Sequence, residues 1–316
     1  MNRITKKVLM MAYQCMPKVI KDKVAEYAEN KKVAHWKECY KTKISKEKVD
    51  DLFERLSLES DVMIHSSLPE IGDIKLRHVI ENLNRYVLDK GKTILCPAIP
   101  IKGSSLDYLK SIKEFDVRTA PNAMGTISLY YGRQNGARRS LSPTHSVIAI
   151  GDRAEYYTKD HHLSETPFTD NSPYYKLFLN GGKILMFGAS LKYLTFGHVV
   201  EDLIGEEYYP IPVYDSRRFE IDLINEDGMR QKGTFRAHSH KNGLYRDTPV
   251  VIERIRNLSS TRIFPLGCGE VILLDARDLL SCLLTQLKLG VTIPGRRVSE
   301  ACRARADKWV EFIKGL

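Results

Sequence analysis

A histidine and a glutamate stand three positions apart in TFGHVVE, residues 195–201. On a helix, His198 and Glu201 would share one face, because side chains three residues apart are neighbours there. A neutral imidazole can take a proton from a reacting group, and a nearby carboxylate can stabilise the imidazolium that forms. Many exposed helices carry such pairs without function, so the surrounding elements decide how this pair is interpreted.

The pair follows a predicted buried strand. KILMFGA, residues 183–189, is almost wholly apolar, as expected for an internal strand. Two further strand patterns, DVMIHSSL and KTILCPAIP, flank the amphipathic helical pattern of residues 74–91, which predicts a parallel β-α-β unit. Catalytic and ligand-binding groups tend to gather where the strands of an open α/β sheet end. His198 and Glu201 are therefore predicted to lie at such an edge.

The remaining patterns predict an α/β protein with three α/β/α layers and a mixed central sheet. Residues 1–44 are predicted to form a basic helical extension, and residues 45–290 the main domain. Short segments that alternate polar and apolar residues predict a small antiparallel β insertion over residues 207–262. Residues 291–316 are expected to end the chain with a helix.

The composition limits the classes of function. The net charge of +10 favours acidic partners, so a non-catalytic basic module that binds nucleic acid or a membrane surface is one alternative. The lysines are mixed with acidic residues and no aromatic-basic RNA motif appears, so we expect no nucleic-acid partner. The six cysteines form no C-x-x-C motif, which favours a reducing, cytoplasmic location. No apolar run is long enough to predict a membrane span.

Four blocks of sequence, read in order, resemble the aminoglycoside 3-N-acetyltransferase family. Within them, A-R-R-S, P-T-H-S, S-P, G-G-K and T-x-x-H-x-x-E occur in one order, which chance rarely produces. The blocks are SDVMIHSSLPEIG (60–72), MGTISLYYGRQNGARRSLSPTHSVIAIGDRAEYYTKDHH (124–162), TDNSPYYKLFLNGGKILMFGASLKYLTFGHVVE (169–201) and LGCGEVILLDARDLLSCLLTQL (266–287).

The resemblance implies a layered α/β/α fold and direct transfer of an acetyl group from acetyl-CoA to an amine. It implies His198 as the catalytic residue, with Glu201 as its acidic neighbour and Thr195 as a hydroxyl that could stabilise the thioester oxygen. Glu201 could either orient the imidazole or hold the substrate ammonium. No metal is expected to take part.

The expected acceptor is a small-molecule amine, either an aminoglycoside or an amino sugar, including one destined for a surface polysaccharide. Acetylation of a saccharide hydroxyl is the alternative reaction, and a homodimer is left open. One departure bears on the acceptor. Relatives commonly read R-S-x-H-P, whereas this chain has Ser142 at the position of that histidine and places His145 three residues later.

The cofactor-binding prediction rests on two loops. Ser66 and Ser67 follow a strand, where hydroxyls and backbone N–H groups could bind phosphate or pantetheine; a capped turn is the alternative. Arg139, beside Arg138, could bind a CoA phosphate through its planar fork, or lie in a solvated basic turn. The predicted cofactor-binding set is His65, Ser66, Ser67, Arg139, Ser140 and Ser146.

Substrate contacts are predicted at Asp170, Tyr174 and Glu201. Asp170 and Tyr174 could bind a sugar through hydrogen bonds and ring stacking, although a tyrosine at a helix start more often packs in the core. His238 and His240 would share one face of a strand. They could line the acceptor pocket or lie in a surface hairpin, and the second interpretation is favoured.

Overall fold

The computed structural model describes residues 18–100, 103–239, 248–291 and 297–316. Its strands, in chain order, are β1 (Val62–Ser66), β2 (Ile94–Pro97), β3 (Glu114–Asp116), β4 (Arg138–Arg139), β5 (Val147–Ile150), β6 (Lys183–Phe187), β7 (Phe219–Ile224), β8 (Arg230–Phe235), β9 (Arg262–Leu266) and β10 (Gly269–Asp275). Seven of these strands form the central sheet in the order β4-β5-β2-β1-β6-β10-β9, and β3, β7 and β8 form a second sheet.

Helices lie between most of the strands. In chain order they are α1 (Lys18–Cys39), α2 (Lys46–Leu56), α3 (Leu76–Tyr86), α4 (Ser105–Ser111), α5 (Thr126–Tyr131), α6 (Ala154–Thr158), α7 (Pro173–Leu179), α8 (Val199–Ile204), α9 (Thr248–Arg256), α10 (Ala276–Lys288) and α11 (Glu300–Lys314). None of the helices in these described ranges is both long and apolar enough to span a lipid bilayer.

The central sheet is mixed, as the sequence predicted. Strand β1 pairs in parallel with β2 and β6, so the predicted β-α-β unit around α3 is confirmed. Strands β5 and β10 pair antiparallel with β2 and β6. The carboxyl ends of β1, β2 and β6 therefore share one edge with the start of β5, where His145 lies. That edge carries the loop that leads from β6 to His198.

The sheet separates two hydrophobic cores, which gives the three-layer α/β/α fold. Alternate residues of each strand face opposite sides, so Met63 contributes to one core and Ile64 to the other. Helices α6, α7, α8, α10 and α11 cover the first side, and helices α2, α3 and α5 cover the second. His65 alternates with Ile64 and so points to the side that carries α8.

The small sheet differs in detail from the predicted antiparallel insertion over residues 207–262. Strands β7 and β8 form the expected antiparallel hairpin. The third strand, β3, comes from before the insertion and pairs in parallel with β7. At three residues it is too short to give a readable pattern. Residues 248–256 form helix α9 instead of a strand.

The C-terminal end of the predicted 1–44 extension packs on the main domain. Trp36 at the end of α1 donates its Nε1 hydrogen to Glu70 Oε1 at 2.8 Å. Cys39 is 2% exposed and Ile44 lies in the hydrophobic core. The predicted domain boundaries at residues 44, 290 and 207–262 stay predictions, although helix α11 agrees with the predicted C-terminal helix.

Candidate active site

His198 and Glu201 meet where a short 3-10 helix, Thr195–His198, continues into α8. His198 Nδ1 lies 3.0 Å from Glu201 Oε2. The side chain of His198 is 27% exposed, whereas that of Glu201 is 1% exposed. The spacing of three residues brings the two side chains together because both lie on one helical face. The carboxylate is thus buried behind a partly accessible imidazole.

The hydrogen bond determines which tautomer of His198 the site favours. An ionised carboxylate can only accept, so the Nδ1 atom of His198 donates its hydrogen to Glu201. Nε2 then carries the lone pair that can take up a proton. This tautomer is the one that a histidine base needs when a carboxylate orients its other nitrogen.

A second histidine, His238, contacts the same carboxylate oxygen. Its Nε2 atom lies 3.2 Å from Glu201 Oε2, and its ring centre lies 4.5 Å from that of His198. Burial lowers the pKa of His238 to about 4, so its imidazole is neutral at physiological pH. The favoured interpretation of His238 as a surface hairpin residue is wrong, because the chain after β8 turns inward onto α8. His240 lies outside the described residues.

Asp202 and Tyr214 support the rings around the pair. Tyr214 stacks on His238 at 4.8 Å between ring centres and donates its hydroxyl hydrogen to Asp202 Oδ1 at 2.7 Å. Asp202 Oδ2 accepts the backbone N–H of Phe168 at 2.9 Å, and Phe168 stacks on His198 at 5.3 Å. Burial raises the pKa of the Asp202 carboxyl. These contacts hold both imidazoles in fixed orientations.

His145 also reaches this cluster. Its ring centre lies 4.9 Å from Phe168, 5.4 Å from His238 and 6.5 Å from His198. Burial is the largest cause that lowers the pKa of His145 well below its ordinary value, followed by repulsion from His238 and His198. Ser142, which stands at the family's histidine position, is buried at 1% exposure. A sequence shift of three residues thus still places an imidazole at the site.

Thr195 lies at the start of the 3-10 helix that carries His198. Its hydroxyl is oriented towards the backbone oxygen of Tyr193, at a long 3.4 Å. The predicted role of Thr195 at the thioester oxygen therefore needs the hydroxyl to rotate, and it stays a prediction.

The structure contradicts the predicted phosphate contact of Arg139. The side chain is 8% exposed, and its guanidinium donates to the backbone oxygens of Ala98, Ala120 and Pro121 and to the Ser146 hydroxyl. Four of its five N–H groups are used in these bonds, and burial lowers the pKa of Arg139 to about 10. From β4, Arg139 thus joins the segments that follow β2 and β3 to the residue before β5, and these bonds leave it unavailable to a ligand.

Ser140 and Ser146 belong to the same structural network. Each is 0% exposed. Ser140 Oγ accepts the backbone N–H of Val147 and contacts His161 Nδ1 at 2.9 Å, whereas Ser146 donates to the Ala98 oxygen. Both serines are therefore placed as internal hydrogen-bonding groups and not as cofactor ligands.

Ser66 and Ser67 lie half-buried at the carboxyl end of β1, as predicted. Ser67 lines a cavity of about 790 Å³ that Gly188 and Ser190 also line. His65 is 8% exposed, burial lowers its pKa to about 4, and its Nε2 meets no hydrogen-bond partner within the described ranges. His65 is thus buried in the fold and is not placed to bind a cofactor, whereas Ser66 and Ser67 are partly exposed. Cofactor binding by these two serines stays a prediction.

The three residues predicted to contact substrate also differ in exposure. Tyr174 is 0% exposed and packs its ring 4.9 Å from that of Phe168. It therefore packs in the core, which was the alternative interpretation, and does not contact a sugar. Asp170 is exposed at the surface. Glu201 is engaged by two imidazoles. Of the three, only Asp170 is exposed to an approaching ligand.

The donor set at Glu201 is also one that could bind a metal ion. His198 Nδ1, His238 Nε2 and the Glu201 carboxylate lie within 4.8 Å of one another. Two imidazoles and a carboxylate are ligands that Zn²⁺ accepts. The distances of 3.0 and 3.2 Å also fit N–H···O hydrogen bonds, which satisfy the same groups. We therefore interpret these three residues as hydrogen-bonding groups.

Known proteins similar to this chain agree with the sequence resemblance. The model of the family described as Aminoglycoside 3-N-acetyltransferase matches residues 63–288. Aminoglycoside N(3)-acetyltransferase III of Salmonella sp is 26% identical over 250 residues, which are 72% of this chain and 85% of that protein.

Solved structures show the same fold. The structure of AAC-IIIb in a binary complex with CoASH has a TM-score of 0.62 and 21% identity, over 80% of this chain and 99% of that one. The structure of AAC-VIa bound to sisomicin has a TM-score of 0.59 and 24% identity, over 78% and 98% of the two chains. Because the family match at residues 63–288 covers most of the sequence, this chain belongs to the aminoglycoside 3-N-acetyltransferase family.

Proposed function

We propose that the protein transfers an acetyl group from acetyl-CoA to an amino group of an aminoglycoside or a similar amino sugar. Family membership supports the reaction class. A fold relative was solved with CoASH and another with sisomicin, which supports both substrate classes. The observation that carries the proposal is the buried Glu201 carboxylate 3.0 Å from Nδ1 of the partly exposed His198, at the carboxyl edge of the sheet.

His198 acts as the general base in this reaction. The acceptor amine attacks the thioester carbonyl carbon, and Nε2 of His198 takes one of its protons as the C–N bond forms. The tetrahedral intermediate then collapses, the C–S bond breaks, and His198 returns the proton to the leaving CoA thiolate. The products are an amide and CoA thiol. The hydroxyl of Thr195 is proposed to donate to the thioester oxygen as it gains charge.

Glu201 is proposed to orient His198 and not to bind the substrate ammonium. Its side chain is 1% exposed, and one of its oxygens contacts both His198 and His238. A substrate amine would have to displace one of these contacts to reach it. As an orienter, the carboxylate favours the imidazolium that forms when His198 accepts a proton.

The acetyl donor is proposed to enter through the cavity that Ser67, Gly188 and Ser190 line. These residues follow β1 and β6, whose carboxyl ends adjoin the site. The same cavity contains Lys32, Lys192 and Arg256, matched by the carboxylates of Glu29, Glu70 and Glu270. A wall of mixed charge suits the polar pantetheine arm.

The experiment is an assay of purified protein with acetyl-CoA and a panel of aminoglycosides and amino sugars, following thiol release and product mass. We expect an added acetyl group that resists mild alkali, as an amide does. An alkali-labile product would instead establish the alternative, acetylation of a hydroxyl. Absence of thiol release with every amine, from protein that is folded, would contradict the proposal.

Three further expectations stay predictions. The free thiols of Cys39, Cys96, Cys268, Cys282 and Cys302 agree with a reducing, cytoplasmic location. A homodimer and the absence of a nucleic-acid partner are to be measured directly.

The expectation that the acceptor is a polysaccharide precursor finds no support in the relatives, which are named for aminoglycosides.

A further inference from the structure

A cavity of about 210 Å³ with a mainly aliphatic lining adjoins His198 and Glu201. Its remaining walls come from the loop before α8, from α8 and the segment after it, and from helices α9 and α10; Lys192, Tyr209 and Thr248 are its other polar lining residues. Most of these walls are aliphatic, including Leu194, Val251, Ile252, Ile255, Leu283 and Leu287. A polyamine acceptor would bring several positive charges against these hydrocarbon walls. Among the described residues of the wall, Glu201 carries the one carboxylate, and two imidazoles already contact it.

The cavity is larger than an acetyl group requires. An apolar cavity of about 150 Å³ holds benzene, a ring of six carbons. The cavity beside His198 has about 210 Å³, so a methyl group would leave most of its apolar wall without contact. This volume is about 1.4 times that of the benzene cavity. A saturated linear chain carries more hydrogens than the flat ring and occupies more volume per carbon, so about six carbons would fill the cavity.

The position of the cavity indicates which part of a substrate would enter it. In the proposed reaction, the thioester carbonyl lies near His198, and the acyl chain extends from the carbonyl away from sulfur. Leu191, Lys192 and Ile252 line both this cavity and the larger one assigned to the pantetheine arm. A thioester at the junction would therefore have its CoA arm in the larger cavity and its acyl chain in the apolar one.

We propose that the apolar cavity is an acyl-chain site, so that the protein also transfers linear acyl groups longer than acetyl, up to about six carbons. The inference rests on the proposed function, because it needs a thioester at His198. Bond changes are those of acetyl transfer: the C–N bond forms, the C–S bond breaks and CoA leaves as the thiol. Burying each added methylene is expected to raise kcat/KM about threefold to fourfold until the cavity is full.

The kinetic test uses one accepted aminoglycoside with acetyl-, butyryl-, hexanoyl- and octanoyl-CoA. We expect kcat/KM to rise to butyryl- or hexanoyl-CoA and then to fall at least tenfold for octanoyl-CoA. Acetyl transfer accompanied by a steady fall from the two-carbon donor onward would overturn the acyl-chain site and leave the proposed function intact.

Two variants test the location of the chain. Val251→Phe and Leu283→Phe add a ring to the α9 and α10 walls of the cavity, and neither residue lines the larger cavity, so the ratio of hexanoyl- to acetyl-CoA kcat/KM should fall at least tenfold. Leu289→Phe is the matched control, because Leu289 lies just after α10 and is 61% exposed. It should keep the wild-type ratio. An unchanged ratio in both folded cavity variants would refute the assignment.

A binding measurement needs no acceptor and no turnover. S-hexyl-CoA and S-ethyl-CoA are thioethers that cannot transfer an acyl group, and calorimetry gives their affinities. We expect S-hexyl-CoA to bind at least tenfold more tightly to the wild type, and Val251→Phe to remove that difference. Equal affinities in the wild type would contradict the proposal even if acetyl transfer occurs. If the two affinities are equal and the enzyme instead prefers acceptor amines that carry apolar groups, the cavity would be assigned to the acceptor.

Discussion

At the scale of single residues, one oxygen of Glu201 contacts two imidazoles and so determines which ring nitrogen of each carries a hydrogen. Nδ1 of His198 is 3.0 Å away and Nε2 of His238 is 3.2 Å away. The sequence predicted the first contact because the two residues are three positions apart. It did not predict the second, because His238 is 37 residues from Glu201 and local pattern carries no information on that approach.

Replacing the carboxylate tests its role as orienter. Glu201→Gln keeps the shape but removes the charge that favours the imidazolium, so kcat should fall about 100-fold or more. The KM for the amine should change less than threefold, because an orienter does not contact substrate. Glu207→Gln, which changes an exposed carboxylate nearby, is the control for steady-state kinetics. A large rise in KM with kcat maintained would assign Glu201 to substrate binding.

Arg139 shows that a motif residue can be structural. The pair Arg138-Arg139 looked like a phosphate fork, but the sequence could not show that backbone oxygens surround one guanidinium. Arg139→Met should lower the free energy of unfolding by about 3 kcal/mol or more, because buried carbonyls lose charged donors. Arg138→Met should change it by less than about 0.5 kcal/mol, since Arg138 is 44% exposed. Urea unfolding measures both.

The same pair of variants separates a structural role from a cofactor role. At temperatures where Arg139→Met is folded, its KM for acetyl-CoA should stay within about twofold to threefold of the wild-type value. The substitution would lower stability without removing a contact to acetyl-CoA. If the Arg139→Met protein is stable and its KM for acetyl-CoA rises more than tenfold, Arg139 would instead be assigned to binding a CoA phosphate.

At the scale of elements, the loop from β6 to α8 positions the site, and Gly188 begins it. Its φ of +71° lies in the left-handed region, and an added Cβ would come within 2.5 Å of the Ser67 backbone oxygen. The main strands and helices could be predicted because their apolar periods are long and their ends carry turn residues. Strand β3 and helix α9 could not, because three residues give no period and α9 follows a segment of strand-like alternation.

Gly188→Ala should therefore destabilise the protein by about 3 kcal/mol or more, from the left-handed backbone and the collision together. Gly136→Ala is the matched control, because Gly136 has a φ of +79° but nothing within 4 Å of the added Cβ. It should cost only about 1–2 kcal/mol. Thermal unfolding of both variants measures the difference. Equal losses would show that Ser67 moves aside and that the loop is not tightly held.

At the scale of the whole molecule, buried histidines link stability to pH. Burial lowers the pKa of His65 to about 4 and that of His161 to about 3, from an ordinary value of 6.5. Between pH 6.5 and 4 the unfolded chain binds more protons at these groups than the folded protein does, so stability falls as the pH falls through that window. Each should contribute a loss of about 1–2 kcal/mol between pH 7 and pH 5.

The contribution of one histidine can be isolated. His161→Gln should show a shallower loss of unfolding free energy between pH 7 and pH 5 than the wild type, by about 1–2 kcal/mol. Chemical denaturation at the two pH values measures the loss in both proteins. Identical slopes in the wild type and His161→Gln would contradict a neutral, buried His161.

The central claim is that His198 accepts the proton of the attacking amine. It is tested most directly by kcat/KM for thiol release from acetyl-CoA with an accepted aminoglycoside, compared between wild type and folded His198→Ala. Loss of the general base predicts a fall of about 10²- to 10⁴-fold with the fold unchanged by circular dichroism. A His198→Ala protein that acetylates the same amine at the wild-type rate would contradict the account.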